Sequence, residues 1–244
     1  MIVTKAIALR RSDYRDYDRM VTLISPDYGR MEAVARGVKR PKSELMNAAE
    51  PFCAGEYSFL STKAGLQVNQ CEIIESNYPI REDYDKLIHA SYYAHALLLS
   101  ALPQARCDGL FALALHAFAQ LSYSGLPNEL VTMMFELHYM KELGMSPLMD
   151  RCVLCGTNDI AGAGFDANMG GAVCKRCGHG LAPLSEGARR ILMKAPRATF
   201  DKVALLKDHS DWQEAAAHSR RFVSQRIEQF PKVLPALITG EIPQ

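Results

Sequence analysis

The 244-residue sequence lacks the motifs that are typical of several large functional classes. It has no phosphate-binding Gly-x-x-x-x-Gly-Lys-Ser/Thr run and no Gly-x-Ser-x-Gly elbow, so it does not indicate a P-loop nucleotide hydrolase or an α/β-hydrolase. Its most apolar stretch, about residues 110–126, is interrupted by polar side chains, which favours a buried helix over a membrane span. The first residues do not have the basic-then-apolar pattern of a signal peptide. We therefore expect a soluble cytoplasmic protein without a membrane anchor.

The sequence also has almost no net charge, since 28 Lys and Arg face 27 Asp and Glu, a balance of +1. The charges are unevenly distributed. Residues 1–45 hold ten cationic against six acidic side chains, residues 81–150 hold four against eight, and residues 151–244 hold thirteen against nine. Phosphates respond to charge within a Debye length, so the local excess near the amino end matters more than the total.

The seven cysteines do not form the even, regular set of a disulfide framework. Cys53, Cys71 and Cys107 are scattered, which favours free thiols in a reducing compartment. The other four form two Cys-x-x-Cys pairs, Cys152/Cys155 and Cys174/Cys177, separated by eighteen residues. This spacing predicts one tetrahedral zinc ion per chain in a ribbon at about residues 150–180.

Four protein ligands close the coordination sphere of zinc, so the predicted site is structural rather than catalytic. No His-x-Glu motif accompanies the second pair, as a zinc deaminase would require. Two alternatives remain open at this point: His179 could replace one cysteine, and one Cys-x-x-Cys pair could be a redox pair. A structural ion at such a site contributes on the order of 10 kcal/mol to folding.

Short apolar runs separated by turn residues predict five strands in the first 75 residues. They lie at about residues 3–9, 20–24, 31–34, 52–60 and 66–74. Five strands at this spacing suit a small closed barrel of the oligonucleotide-binding (OB) type. An SH3-type barrel would give a similar pattern, so periodicity alone leaves both open.

Helical periodicity begins after Pro79 and predicts helices at about residues 84–102, 108–123 and 127–144. A short helix is expected after Ser185 as its N-cap, and a last helix after a capping box at Ser210 that continues to Pro231. The predicted fold class is α+β, with an OB barrel in residues 1–78 and a helical domain in residues 79–244 that carries the zinc ribbon.

The strongest local charge pattern is Arg36, Lys39, Arg40 and Lys42, a basic loop that follows the third strand. Such a loop can follow a phosphate backbone without reading bases. Further cations that could extend this track are Arg10, Arg11, Arg15, Arg19 and Arg30. The alternative interpretation is a solvated loop whose neighbouring arginines pair with nearby aspartates.

No constellation in the sequence predicts catalysis. The seven histidines are scattered. Asp13, Asp16 and Asp18 resemble part of a metal-dependent nuclease site, but without further acidic clusters they favour ion pairs. We therefore expect a protein that is not an enzyme and has no catalytic residues.

Several segments together carry a resemblance to a known family. They are residues 8–23, with Arg11-Ser12-Asp13-Tyr14, residues 25–30, 36–43 and 50–52, then 143–147 leading into the first Cys pair, 165–166, and 181–185. Over nearly the whole chain, in the same order, the sequence resembles the RecO family of bacterial recombination mediators. It departs from the family pattern at Arg15, where glycine is common.

The resemblance implies an amino-terminal OB domain and a helical domain with a zinc ribbon. It further implies binding to single- and double-stranded DNA, annealing of complementary strands, and cooperation with RecR in loading RecA onto DNA coated with single-strand binding protein (SSB). The family's basic loop maps onto Arg36, Lys39, Arg40 and Lys42. The protein would then be cytoplasmic and associated with the nucleoid.

An SSB tail is expected to be acidic and to end in an apolar residue, so its site needs cations beside a hydrophobic pocket. The helices that carry Arg189, Arg190, Arg220 and Arg221 are candidates for that site. A different class of function also remains open: a zinc-ribbon adaptor that binds only proteins and uses its basic loop for solubility.

Overall fold

The structure is a computed structural model that describes residues 1–227. The chain forms two compact units, Met1–Ser124 and a second that begins at Gly125. The first unit consists of five strands followed by three helices. Their bounds are β1 Ile2–Asp13, β2 Arg19–Ser25, β3 Gly29–Ala35, β4 Ala54–Thr62, β5 Gly65–Glu75, α1 Tyr78–Glu82, α2 Tyr84–Ser100 and α3 Asp108–Tyr123.

The five strands form a closed barrel in the order β1-β2-β3-β5-β4. Strand β1 pairs antiparallel with both β2 and β4, and the long hairpin of β4 and β5 is also antiparallel. The barrel closes through a short parallel pairing of β3 with β5, at Ala33↔Leu66 and Val34↔Gln67. This topology confirms the predicted OB barrel and excludes the SH3-type alternative, and the predicted α+β class is also confirmed.

The barrel interior combines small and large side chains. Ala6 and Ala8 on β1 belong to the same buried cluster as Tyr57 and Phe59 on β4, whose stacked rings have centroids 5.9 Å apart. The Tyr57 hydroxyl donates to the Ala48 carbonyl oxygen at 2.7 Å, so its buried polar atom is satisfied. Burial alternates along β3, as expected for a strand with one face on the core.

The second unit contains the helix α4, a small hairpin and the helices that follow it. Its elements are α4 Asn128–Glu142, β6 Gly164–Asp166, β7 Gly171–Val173, α5 Glu186–Lys194, 3₁₀ helices at Ala195–Arg197 and Phe200–Leu206, and α6 Trp212–Arg226. Helix α4 is buried along most of its length and packs against α6. Ser185 is confirmed as the N-cap of α5, since its Oγ accepts from the Ala188 N–H at 3.1 Å.

The predicted capping box at Ser210 is wrong. Asp211 is the residue that precedes α6, it makes no side-chain capping bond, and the Ser210 hydroxyl donates to its carboxylate instead. Helix α6 is described as far as Arg226, so its predicted continuation to Pro231 lies outside the described residues.

The helices α1 to α3 belong to the same compact unit as the barrel. Arg30 on β3 donates to the Leu98 carbonyl oxygen of α2, and the Cys107 thiol lies 3.1 Å from the carbonyl oxygen of Ser25. The predicted domain boundary at residue 78 stays a prediction. Among residues 1–227, no helix combines the length and the apolarity that crossing a bilayer requires.

Candidate metal centre and nucleic-acid interface

The four sulfur atoms of the two Cys-x-x-Cys pairs lie close together. The sulfurs of Cys152, Cys155, Cys174 and Cys177 all lie within 4.8 Å of one another, and those of Cys155 and Cys174 are 3.7 Å apart. Each pair sits in a tight turn: Gly156 N–H donates to the Cys152 carbonyl oxygen and Gly178 N–H to that of Cys174, both at 2.9 Å. The hairpin of β6 and β7 connects the two turns.

The donor set fits a tetrahedral thiolate site. Zn–S bonds of about 2.3 Å imply a sulfur–sulfur edge of about 3.8 Å, close to the separation of Cys155 and Cys174. The Cys174 N–H donates to the Cys152 sulfur at 3.4 Å, and this contact lowers the pKa of the Cys152 thiol, which favours the thiolate form that a metal ion binds. His179 is exposed and is not part of the cluster.

The ribbon around these ligands has a very small core of its own. Its buried cluster consists of Cys152, Val173 and Cys174, with Val153 and Cys177 packed against it. A lobe of this size does not bury enough apolar surface to fold alone, which is the condition under which a metal supplies the folding energy.

Aromatic contacts and one hydrogen bond attach the ribbon to α6. The ring of Phe165 meets those of Phe222 and His218, with centroids 5.9 and 5.3 Å away. Arg226 donates to the Asn168 carbonyl oxygen at 3.1 Å.

The nine predicted DNA-binding cations fall into two groups in the structure. Four of them are engaged within the protein. Arg11 and Arg19 both donate to Glu50, at 2.8 and 2.9 Å, and Arg30 donates to a backbone carbonyl oxygen. Lys39 lies 2.8 Å from Asp13 and lowers the pKa of that carboxyl.

The other five cations are exposed and have no carboxylate within salt-bridge distance among residues 1–227. They are Arg10, Arg15, Arg36, Arg40 and Lys42. Arg10 lies near the end of β1, Arg15 in the β1–β2 loop, and the remaining three in the basic loop after β3. They are therefore the members of the predicted track that remain available for phosphates.

The basic loop is held against the β1–β2 loop. The Asp18 carboxylate accepts from the Gly37 N–H at 2.8 Å, and the Lys39 N–H donates to the Tyr17 carbonyl oxygen at 3.1 Å. The Arg40 guanidinium lies over the Tyr17 ring, 5.2 Å from its centroid. Val38, in the middle of the loop, is 1% exposed and packs in the barrel core. This anchoring fixes the loop backbone, while Arg36, Arg40 and Lys42 remain exposed.

A narrow cleft opens where these loops meet the β4–β5 turn. It is lined by Tyr14, Arg15, Asp18, Val34, Arg36, Thr62, Ala64, Leu66 and Gln67. The β1–β2 and β4–β5 loops are the ones that OB barrels use to bind oligonucleotides. Nothing in the sequence indicates that Thr62 and Gln67 lie beside Arg15 and Arg36, because only the closure of the barrel brings these residues together.

The four predicted partner-binding arginines occupy different environments. Arg189 and Arg190 both donate to Glu186 and hold the pKa of that carboxyl at about 2, and Arg189 also donates to the Met149 carbonyl oxygen. Arg221 is exposed. Arg220 is largely buried, with its Nε 3.8 Å from Glu136, so its position gives no support to a role in partner binding.

An apolar cavity of about 270 Å³ in the second unit was not foreseen from the sequence. Apolar side chains that line it include Met134, Ile191 and Leu206, and its cationic side chains are Arg190, Lys194 and Lys202. Leu205, which also lines it, is 76% exposed.

The fold and site define the protein as one with an OB-type barrel, a helical region and a four-cysteine centre that can hold a metal ion. The family model described as "Recombination protein O N terminal" matches residues 1–77, and that described as "Recombination protein O C terminal" matches residues 81–235. The chain therefore belongs to the RecO family of DNA repair proteins.

Individual relatives are similar over most of their length. The DNA repair protein RecO of Syntrophomonas wolfei subsp. wolfei is 32% identical over 176 residues, which cover 72% of this chain and 70% of that protein. Those of Acetivibrio thermocellus and Clostridium novyi are 26% and 28% identical, and the matches cover 93% and 95% of this chain and 92% and 91% of the relatives.

Proposed function

We propose that the protein is a recombination mediator that binds single- and double-stranded DNA, anneals complementary strands and, with RecR, helps to load RecA onto SSB-coated DNA. The observation that carries this proposal is the group of five exposed cations around the loop end of the OB barrel that form no salt bridge within residues 1–227. Membership of the RecO family supports it independently. The proposal contains no catalytic step, and it places the protein in the cytoplasm, at the nucleoid.

Annealing requires contacts that neutralise phosphates and leave base edges free to pair. Arginine and lysine side chains on a fixed loop backbone provide such contacts, since they bind phosphates without reading sequence. Tyr14 and Tyr17 are 44% and 54% exposed at the same end of the barrel, and a base can stack on the ring face that Arg15 or Arg40 leaves open. Contacts of this kind exchange quickly, so they allow two bound strands to search for their register.

We assign one structural zinc ion per chain to Cys152, Cys155, Cys174 and Cys177. Four soft thiolates at tetrahedral separation favour zinc over hard cations such as magnesium or calcium. The ion would hold the ribbon in shape and has no open position for a substrate.

We further propose that the apolar cavity of the second unit receives the tail of SSB. An acidic peptide with an apolar end needs an apolar cavity bordered by cations, and Arg190, Lys194 and Lys202 border this one. The assignment keeps Arg190 from the predicted set and adds two lysines. Arg189 and Arg221 remain candidates for the approach of the acidic part of the tail.

Strand annealing tests the proposed function directly. Complementary oligonucleotides coated with SSB should anneal faster when the protein is added, and the acceleration should fall as the salt concentration rises. An adaptor that binds only proteins would leave the rate unchanged at every salt concentration. Incubation of labelled DNA with magnesium or manganese should give no cleavage.

A further inference from the structure

The four cysteines of the metal centre differ in their exposure to solvent. Cys152 and Cys174 are 1% and 4% exposed and Cys177 is partly buried, whereas Cys155 is exposed. Gly156, the next residue, also has open space around it, since a Cβ placed on it would meet no heavy atom within 4 Å outside its chain neighbours. A reagent from solvent therefore reaches Cys155 before the two buried ligands.

Arg176 lies at the same corner of the centre. The pKa of Arg176 is raised by the sulfurs of Cys155 and Cys174, the two that lie 3.7 Å apart, so its positive charge acts on this pair. A cation beside a thiolate stabilises the negative charge on the sulfur and makes it a weaker nucleophile. Arg176 is thus placed to moderate the reactivity of this pair of sulfurs.

The thiols of the three cysteines outside the centre are difficult to ionise. Burial raises the pKa of the Cys53 and Cys107 thiols to about 11 and that of Cys71 to about 12. Because the thiolate rather than the thiol attacks a peroxide, these residues stay unreactive at neutral pH. They provide an internal reference within the same chain.

We propose that Cys155 is an oxidation site for hydroperoxides and that Cys174 converts the oxidised Cys155 into a disulfide across the two Cys-x-x-Cys turns. The loss of metal that follows rests on the proposed zinc occupancy, whereas the disulfide depends only on the positions of the sulfurs.

Atoms and electrons balance in both the oxidation of Cys155 and the formation of the disulfide. The Cys155 thiolate attacks one peroxide oxygen, the O–O bond breaks, and the second oxygen leaves with a proton as water or an alcohol, so that Cys155 becomes a sulfenic acid. The Cys174 sulfur then attacks the Cys155 sulfur, the S–O bond breaks, and the hydroxide takes a second proton and leaves as water. The two thiolates lose two electrons and the peroxide gains them.

The disulfide has a defined structural consequence. It removes two of the four thiolates, and Cys152 and Cys177 alone do not make a closed tetrahedral zinc site. Since the ribbon has almost no core of its own, we expect it to lose its fixed structure, together with the contacts of Phe165 and Asn168 to α6. Peroxide would therefore act as a switch on this lobe.

The full chain, purified with its metal and analysed first for zinc content, should be treated with hydrogen peroxide. Zinc release is followed with a chromogenic chelator, and disulfides are mapped by mass spectrometry of peptides. We expect a Cys155–Cys174 disulfide to form at the rate of zinc release, with Cys53, Cys71 and Cys107 still reduced. A different first disulfide, or earlier oxidation of Cys53, Cys71 or Cys107, would overturn the proposal.

Two neighbouring substitutions provide a matched comparison. Arg176→Gln should speed zinc release several-fold, because the sulfurs lose the cation that stabilises their negative charge. Lys175→Gln removes an adjacent exposed cation whose side chain lies beside Gly162, and it should leave the rate unchanged. Equal rates in the two variants would contradict the role of Arg176. A protein without zinc would refute the zinc assignment, while the disulfide map would still decide the oxidation site.

Discussion

Removal of the three unpaired cations of the basic loop, Arg36, Arg40 and Lys42, should flatten the salt dependence of single-stranded DNA binding. Five unpaired cations at about −0.7 each predict a slope of log affinity against log salt of about −3.5, and alanine at the three loop positions leaves about −1.4. Between about 50 and 200 mM salt, the unsubstituted protein should lose roughly 130-fold in affinity and the triple variant only roughly 7-fold.

Fluorescence anisotropy of a labelled oligothymidine, titrated at four or five salt concentrations, measures both slopes. The control is the double variant Asp13→Asn with Lys39→Ala, which removes an ion pair without changing the net charge. Its slope should stay near that of the unsubstituted protein. If the triple variant kept the full slope, or if the double variant lost as much as the triple variant, the division into engaged and available cations would be refuted.

Three further predictions concern the metal, the barrel core and the cavity. Removal of zinc with a strong chelator should lower the Tm, and added zinc should restore it, because a structural ion contributes on the order of 10 kcal/mol to folding. Phe59→Ala should lower the free energy of unfolding by about 3–5 kcal/mol in urea titrations, since the ring is fully buried in the barrel. Lys202→Glu should weaken binding of a fluorescent acidic peptide with an apolar end several-fold, whereas Lys207→Glu, which is exposed and does not line the cavity, should not. Equal affinities in the two lysine variants would contradict the proposed site.

The barrel and the cysteine cluster could both be predicted from the sequence because their signals are local. The alternation of apolar residues indicates the strands, and turn residues such as Pro26 and Gly29 indicate where the strands end. The spacing of the two cysteine pairs indicates that their four sulfurs come together. The choice between two barrel types could not be made, because it depends on the pairing of β3 with β5, about thirty residues apart in sequence.

The division of the cations into engaged and available groups also could not be predicted from the sequence, because it depends on contacts between residues that are far apart in the chain. Arg11 and Glu50 are 39 positions apart, and Lys39 meets Asp13 only because the basic loop folds back onto the β1–β2 loop. Arg220 looked like part of a solvated helix face, and the structure instead buries it against Glu136. Lys202 joins the apolar cavity through a 3₁₀ helix that the periodicity did not indicate.

The parallel pairing of β3 with β5 has a consequence for how the barrel responds to a ligand. It is the shortest seam of the barrel, two residue pairs long, whereas β2 and β3 are joined at seven. Val34 and Gln67, which face each other across that seam, also line the cleft between the loops. A molecule bound in this cleft would contact both strands of the pairing. Because it would bind the closed barrel in preference to an opened one, its binding would stabilise the closure of the barrel.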